Sequence, residues 1–488
     1  MAAPIYSYRP EIKIEILDND VTVNLGDVGS CTIRKNLYQP AGEFQLVFPD
    51  LPVKGWFTED GGTMERESLY GLVNPLDRIC IWMRRWRDDC PTVGPWVPVL
   101  TGFVRSVGRD EQVGPDGRPQ RQVVVAGQDC GGAFLMEMVS AFITYQNNHI
   151  GGVNFPARLN WMKEYGLTYD LFQVQDFIWN VATKTTQSIM QAAEFEFQQK
   201  FYVNKGYLVP QIAFSQEGTV WELLYRYADG PWNEVFVREN RNMFPNMAER
   251  CPAESKEGIH DPKLLNPELV FRPTPWLDYD ENPLPDVNMD SVTMWNVDMK
   301  HVVALRAHRD DAELVNHVWI HTPAMAQLAN SQMVKKLAGV DDANPPGVVN
   351  PGTRDKFGDR VQQEATRLMP FNSAPNSQPK DIQRANEDQM LQWAQERQRW
   401  VVLAQANIHN FERGSITMKG YPMMRVGDYF RLHRGDVVWH GYVTNIVHDF
   451  QPYRRYLTTM DYIRGSQIKV RRELQNPWDV ERKTGEIL

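Results

Sequence analysis

Cysteine is scarce and unpatterned in this chain of 488 residues: there are five, an odd number, and no pair is spaced Cys-x-x-Cys. Neither a disulfide framework nor a zinc knuckle is indicated. Free thiols in a reducing compartment are the plain reading of Cys31, Cys80, Cys90, Cys130 and Cys251. Long apolar runs are missing too, and none approaches the ~20 residues of a membrane-spanning helix. The segment from Met1 to Glu11 has neither the basic nor the apolar stretch of a secretory signal. The expectation is a chain made and folded in the cytoplasm, without membrane insertion. Positive charge is in deficit, with 52 Lys and Arg against 61 Asp and Glu, a net −9. Phosphate neutralisation needs clustered Lys and Arg, so general nucleic-acid binding is disfavoured. Nucleic acid passing by unbound is still allowed. A phosphate-binding Walker loop, a His-Glu-x-x-His pair and a Gly-x-Ser-x-Gly elbow do not occur either.

The length allows about two to four domains at roughly 100–200 residues each. A hydrophobic share of 42% with 23% charged residues is that of an ordinary globular chain. Aromatic residues are plentiful, which suits β-surfaces and interfaces.

The most informative feature present is an internal repeat, residues 72–126 against 411–465. Leu76-Asp77-Arg78-Ile79-Cys80-Ile81 precedes Thr101-Gly102-Phe103-Val104-Arg105-Ser106-Val107 in the first copy. In the second, Gly427-Asp428-Tyr429-Phe430-Arg431-Leu432 precedes His440-Gly441-Tyr442-Val443-Thr444-Asn445-Ile446. Each copy continues into a further strand, Arg121–Val125 or Arg455–Thr459. An upstream echo places Ile33, Leu46 and Phe48 at the spacings of Leu305, Val318 and Ile320. Hairpins share a small vocabulary, but agreement in order favours duplication, and a duplicated β module suits a building block better than a catalyst.

Along the chain, Ile12, Ile14 and Ile16 alternate with charged residues, as on a half-buried strand. Phe44, Leu46 and Phe48 repeat the pattern, and Gly114-Pro115-Asp116-Gly117 is a turn. Short strands over about residues 8–130 predict a sandwich or small barrel. Residues 185–200 and 219–228 read as helices, with strands at 234–237 and 269–271. Residues 240–297 are rich in Pro, Asn and Asp. Phe357, Val361, Ala365 and Leu368 predict a helical stripe. Residues 381–404 predict a long helix carrying Trp393 and Trp400, with linkers at 344–347 and 370–379. The expected division is a first β-barrel over 1–130 and a mixed helical and loop-rich region over 131–297. A second barrel over 298–322 and 411–465 is interrupted by a helical insertion at 323–410, and a tail covers 466–488.

Chemical signals are weak. Asp278-x-Asp280-x-Asn282 resembles the start of a calcium loop, but Pro283 and Met289 stand where glycine and glutamate belong. His317 and His321 share a strand face without a third ligand. Asp310-Asp311 could serve glycoside hydrolysis, yet nothing places them in a cleft. No catalytic, metal or cofactor residue is expected. Trp82-Met83-Arg84-Arg85-Trp86-Arg87 mixes cations and aromatics and admits three readings. It is a nucleic-acid contact, a strand end with a projecting loop, or a protein interface anchored by Trp82, Arg85 and Trp86. The longer path from Asp77 to Gly102 than from Asp428 to Gly441 favours a specific contact there.

The ordered set Gly420-x-Pro422, Gly427-Asp428, Gly441-Tyr442-Val443, His448-Asp449-Phe450, Thr458-Thr459 and Arg464-Gly465 resembles bacteriophage tail hub proteins. That family includes the N-terminal part of type VI secretion spike proteins. Trp221-Glu222-Leu223-Leu224, Trp232–Phe236 and Val315–Val318 resemble its middle region. The resemblance covers roughly half the chain and leaves 131–215 and 323–410 unmatched. It implies a mainly β chain with two tail-tube-like antiparallel barrels, assembled as a homotrimer in the baseplate of a virion. Its implied partners are the tail tube protein, the central spike protein and other baseplate proteins, with the tape measure protein a further candidate. DNA would pass through the ring without specific binding, past a lumen lined by much of the acidic excess. Two rivals stay open: a receptor- or carbohydrate-binding tail component, and a tail-associated cell-wall hydrolase.

Overall fold

The computed structural model describes residues 8–22, 29–58, 60–87, 96–113, 117, 119–136, 138–141, 172–203, 206–209, 216–240, 266–278, 282–321, 348–366, 368–370, 380–434, 437–452 and 454–466. Strand accounts for 49% and helix for 23%, so the helices are additions to a β framework.

Most of that framework is one 13-stranded sheet. Its N-terminal half uses β1 (Tyr8–Ile16), β2 (Ser30–Asn36), β3 (Glu43–Pro49), β4 (Arg78–Arg87), β5 (Val97–Val113) and β6 (Pro119–Asp129), with the two-residue strand Asn19–Asp20 paired to the end of β1. Side chains alternate across a strand. Ile14, Ile33, Leu46, Ile81, Val104 and Val125, one from each strand, therefore meet in a single buried cluster. The sheet folds around a core of its own.

Helical pieces and a small sheet follow. Helices α1 (Val174–Thr185) and α2 (Val220–Ala228) pack together. The start of α2 is a capping box: Thr219 Oγ1 accepts from Glu222 N–H, and Glu222 accepts from Thr219 N–H. Strands β7 (Asn233–Arg238) and β8 (Glu268–Pro273) pair antiparallel, and Gln198–Phe201 adds parallel to β8.

The second half uses β9 (Met294–Asp298), β10 (Val302–His308), β11 (Glu412–Lys419), β12 (Tyr429–Arg434), β13 (Val437–Gln451) and β14 (Arg455–Ser466). Between β10 and β11 lie helices α3 (Pro351–Phe357) and α4 (Lys380–Gln405). Trp295, Ile416, Phe430, Tyr442 and Met460 centre the second core, with Leu305 packed at its margin.

The duplication extends to hydrogen-bond register. The first half is ordered β2-β3-β6-β5-β4-β1 and the second β10-β11-β14-β13-β12-β9. Ile79 faces Gly102 as Phe430 faces Gly441. A β-bulge interrupts β5–β6 between Val104 and Ser106, and β13–β14 between Val443 and Asn445. Val104 N–H donates to Asp77 O at 3.0 Å, and Val443 N–H to Asp428 O at 3.0 Å. Leu76 and Gly427, each just before the repeated Asp, both have left-handed backbones, φ 74° and 79°. One cross-sheet row reads Val107, Val125, Leu46, Cys31, and its counterpart reads Ile446, Met460, Ile416, Leu305. The copies differ at their last strand: β1 runs antiparallel to β4, whereas β9 runs parallel to β12.

Three expectations need correction. Leu305 lies on the counterpart of Ile33's strand, but it matches Cys31. Val318 and Ile320 lie on a strand, His317–His321, that leaves the large sheet and pairs with Val348–Val349 and Val361–Ala365. An alternating pattern marks a strand without saying which sheet it joins. The helix expected over 185–200 is confined to Gln187–Ala192, with α1 ending just before it, and Gln198–Phe201 is a strand. The expected stripe from Phe357 to Leu368 is not one helix. Gly358, at φ 73°, closes α3, and Val361–Ala365 is a strand.

Candidate assembly interface

The two halves are joined edge to edge. A strand has two hydrogen-bonding edges. β14 takes one edge of β13, while β12 and β2 share the other, over Val437–Tyr442 and Asn445–Phe450. The β13–β2 register runs from Asn445 opposite Asn36 to Phe450 opposite Cys31. Leu37 N–H extends it, donating to Thr444 O at 2.8 Å. Phe450 and Tyr456 of the second half pack into the first core. Leu37 crosses the other way into the second. The next inward position of β2 is Lys35, whose Nζ lies 3.0 Å from Asp129 Oδ2 and also pairs with Glu239. Burial works to lower its pKa, but the two carboxylates hold it above the ordinary lysine value.

A second set of buried charges ties the β7–β8 pair to the second half. Arg272 on β8 is fully buried. Its Nε donates to Glu234 Oε1 at 2.7 Å, and its Nη atoms donate to Ser291 O, Gly427 O and Tyr442 Oη. Tyr442 O–H donates to Glu234 at 2.6 Å. Burial and the Glu234 charge push this phenol well above its usual pKa, so it stays a donor. Beside them, Asp428 accepts from Trp295 Nε1 at 3.0 Å and Arg425 Nε at 3.2 Å. Burial raises its pKa, but Arg425 and Arg238 outweigh this and hold it below the ordinary carboxylate value. Arg464 donates to Ala404 O and Leu277 O, and its guanidinium lies 4.4 Å from the Phe411 ring centre. The repeated Asp, the Gly before it and the repeated aromatic thus serve in the second copy as anchors for the middle segment.

The proposed contact residues are placed separately. Trp82 lies on β4, half-buried against the helical core, and its Nε1–H donates to Glu15 Oε2 at 3.0 Å. Arg85 and Trp86 pair through their backbones with Pro10 and Arg9. Their side chains and the loop at 88–95 lie outside the described residues, as do Cys90, Cys251, the turn at 114–116, the linkers at 344–347 and 371–379, and the tail beyond 466. Cys31, Cys80 and Cys130 are free and buried.

The weak chemical signals meet ordinary partners. Asp278 Oδ1 accepts from Asn282 N–H at 2.9 Å, while Asp280 is outside the described residues. His317 Nε2 accepts from Trp319 Nε1 at 2.8 Å. Asp310 pairs with Arg413 and Asp311 with Arg360. Among the described residues no three His, Cys, Asp or Glu side chains are grouped to hold a metal. No described helix is long and apolar enough to cross a membrane.

No family model and no curated protein matches the chain. Solved structures do. The chain is similar to the 43 kDa tail protein of prophage MuSo2 from Shewanella oneidensis, with TM-score 0.45 and 10% identity over 93% of this chain and 97% of that one. A tail protein from Neisseria meningitidis MC58 has TM-score 0.45 and 10% identity over 93% and 96%. A component of the Escherichia coli type VI secretion system, described as similar to the T4 tail proteins gp27 and gp5, has TM-score 0.40 and 7% identity over 94% and 78%.

Proposed function

We propose that this chain is a structural baseplate hub of a tailed bacteriophage, with no catalytic role. Three copies form a ring that joins the tail tube to the central spike and surrounds part of the DNA ejection channel. The observation that carries this reading is the duplication. One chain holds two copies of one unit, alike in strand order and, over five of its six strands, in direction and register, already joined edge to edge. Each copy acts as one tube-like barrel. Three chains then present six similar units to a six-fold tube and three distinct positions to a three-fold spike. Rings of this kind need a contact between unlike surfaces that closes on itself. The insertion between β10 and β11 recurs at every other unit and is where three-fold contacts fall. The lumen carries much of the acidic excess, which keeps phosphates from sticking. Trp82, Arg85 and Trp86 are retained as interface residues beside the extra length of the β4–β5 connection, and other baseplate proteins and the tape measure protein as partners.

The test is tube nucleation. The purified chain is mixed with the tube protein of the same phage and imaged by electron microscopy. Tubes should start sooner and carry this chain at one end. Tubes that form at an unchanged rate with bare ends would contradict the proposal.

A further inference from the structure

The internal junction specifies a second junction between chains. β13 pairs with β2 inside the chain, whereas among the described residues their counterparts in the other half, β5 and β10, have no such pairing. The β5 stretch from Ser106 to Glu111 pairs with β6 on one edge only. β10 pairs with β11 on one edge only. Its outer side is open to solvent, Val303 being 60% exposed. Among the described residues neither free edge has a strand partner. Unpaired strand edges are templates for another chain.

Resting on the ring reading above, we infer that β10 of one copy adds to the free edge of β5 of a second copy, in the register of the internal β13–β2 pair. The correspondence of the halves fixes that register. Ile446 matches Val107 and Cys31 matches Leu305, as the cross-sheet rows require. The internal pairs Asp449 with Thr32 and Phe450 with Cys31 become Asp110 with Arg306 and Glu111 with Leu305. Val107 falls opposite Arg309, and Arg109 opposite Ala307. The edges are complementary in charge: a carboxylate of β5 faces a guanidinium directly across an antiparallel pair, a favourable arrangement.

The two junctions differ in a way that suits their timing. At the internal one, Phe450 and Tyr456 bury themselves in the neighbouring core. The matching positions on β5 and β6 are Glu111 and Arg121, paired at 3.6 Å and largely exposed. An apolar joint suits halves that fold together once. A charged joint keeps the free chain soluble until a second copy arrives.

Disulfide trapping tests the register. Asp110→Cys and Arg306→Cys are placed in one full-length chain whose Cys90 and Cys251 are replaced by serine. Val303→Cys with Asp110→Cys is the control, since residue 303 is three positions out of register and sits in the β-bulge between Val302 and Ala304. Circular dichroism checks that each variant is folded. Mild oxidation over a range of concentrations should convert the first variant to covalent dimers and trimers, with the control largely monomeric. In addition, Arg306→Glu should lower the trimer fraction, and adding Asp110→Arg to that chain should restore it. Native-mass trimers whose 110–306 pair cross-links no better than the control would overturn the strand pairing and leave the hub reading standing. A chain monomeric at every concentration, with or without tube protein, would overturn both.

Discussion

Arg272→Met removes the charge that binds β8 to the second half of the sheet. In the native chain Arg272 is completely buried and satisfies four acceptors, on Glu234, Ser291, Gly427 and Tyr442. Summing these as charged hydrogen bonds at about 1.5–3 kcal/mol each would overstate the effect, because such terms do not add. The better measure is the cost of leaving one member of a buried ion pair alone, about 3–5 kcal/mol. Glu234 retains only the Tyr442 hydroxyl of this network, at 2.6 Å. Urea unfolding followed by near-ultraviolet circular dichroism should show the loss. Removing both charges, as Arg272→Met with Glu234→Leu, should be milder than the sum of the single losses by about 1–3 kcal/mol. Limited proteolysis of Arg272→Met should open the second half before the first. A loss under about 1 kcal/mol, or strict additivity, would refute the view that this pair fastens the middle segment to the repeat.

Other perturbations test neighbouring parts. Phe450→Ala empties an aromatic site at the internal junction and should cost about 3–5 kcal/mol in urea unfolding; an unchanged midpoint would mean the halves do not share that core. Gly102→Ala and Gly441→Ala occupy matching positions but should differ in severity. A Cβ at 102 meets Gln128 O at 2.1 Å, which is backbone, whereas at 441 it meets the Phe430 and Tyr462 rings at 2.7 Å. The first should lower the melting temperature more, and the reverse order would count against the register. Asp428 has a folded-state pKa held below its ordinary value. Its contribution is therefore complete above about pH 4 and is lost as pH falls through the folded value. The stability gap between native chain and Asp428→Asn should stay level from pH 7 to about 4 and narrow below it; a gap that widens in acid would reverse the sign assigned here.

The second copy was readable where its local chemistry matched the first. Gly441-Tyr442-Val443 after Gly427-Asp428 places a turn, a tight strand crossing and a bulge at the same points as Gly102-Phe103-Val104, and these features are local. α2 was readable because Val220, Leu223, Leu224 and Tyr227 recur at helical spacing, and all four are buried on one face. The strand echo through Val318 and Ile320 failed because the choice of partner strand depends on contacts far along the chain, and the counterpart of β3 comes only after α4. The stripe from Phe357 to Leu368 matched helical spacing by coincidence, since Gly358 breaks it after one residue. The buried network was half visible. The repeated Asp and aromatic stood out as motif positions, but Arg272 and Glu234 sit in a segment with no counterpart in the first copy. Nothing in the sequence separated them from surface charges.

The most direct test of the trimeric, duplicated hub is electron microscopy of the purified chain at high concentration, with native mass measured alongside. Three copies of the 56.4 kDa chain in a ring with a central hole and six similar densities is the expected result. A compact monomer without a ring, even when tube protein is added, would contradict it and favour a receptor-binding or cell-wall-cleaving tail component.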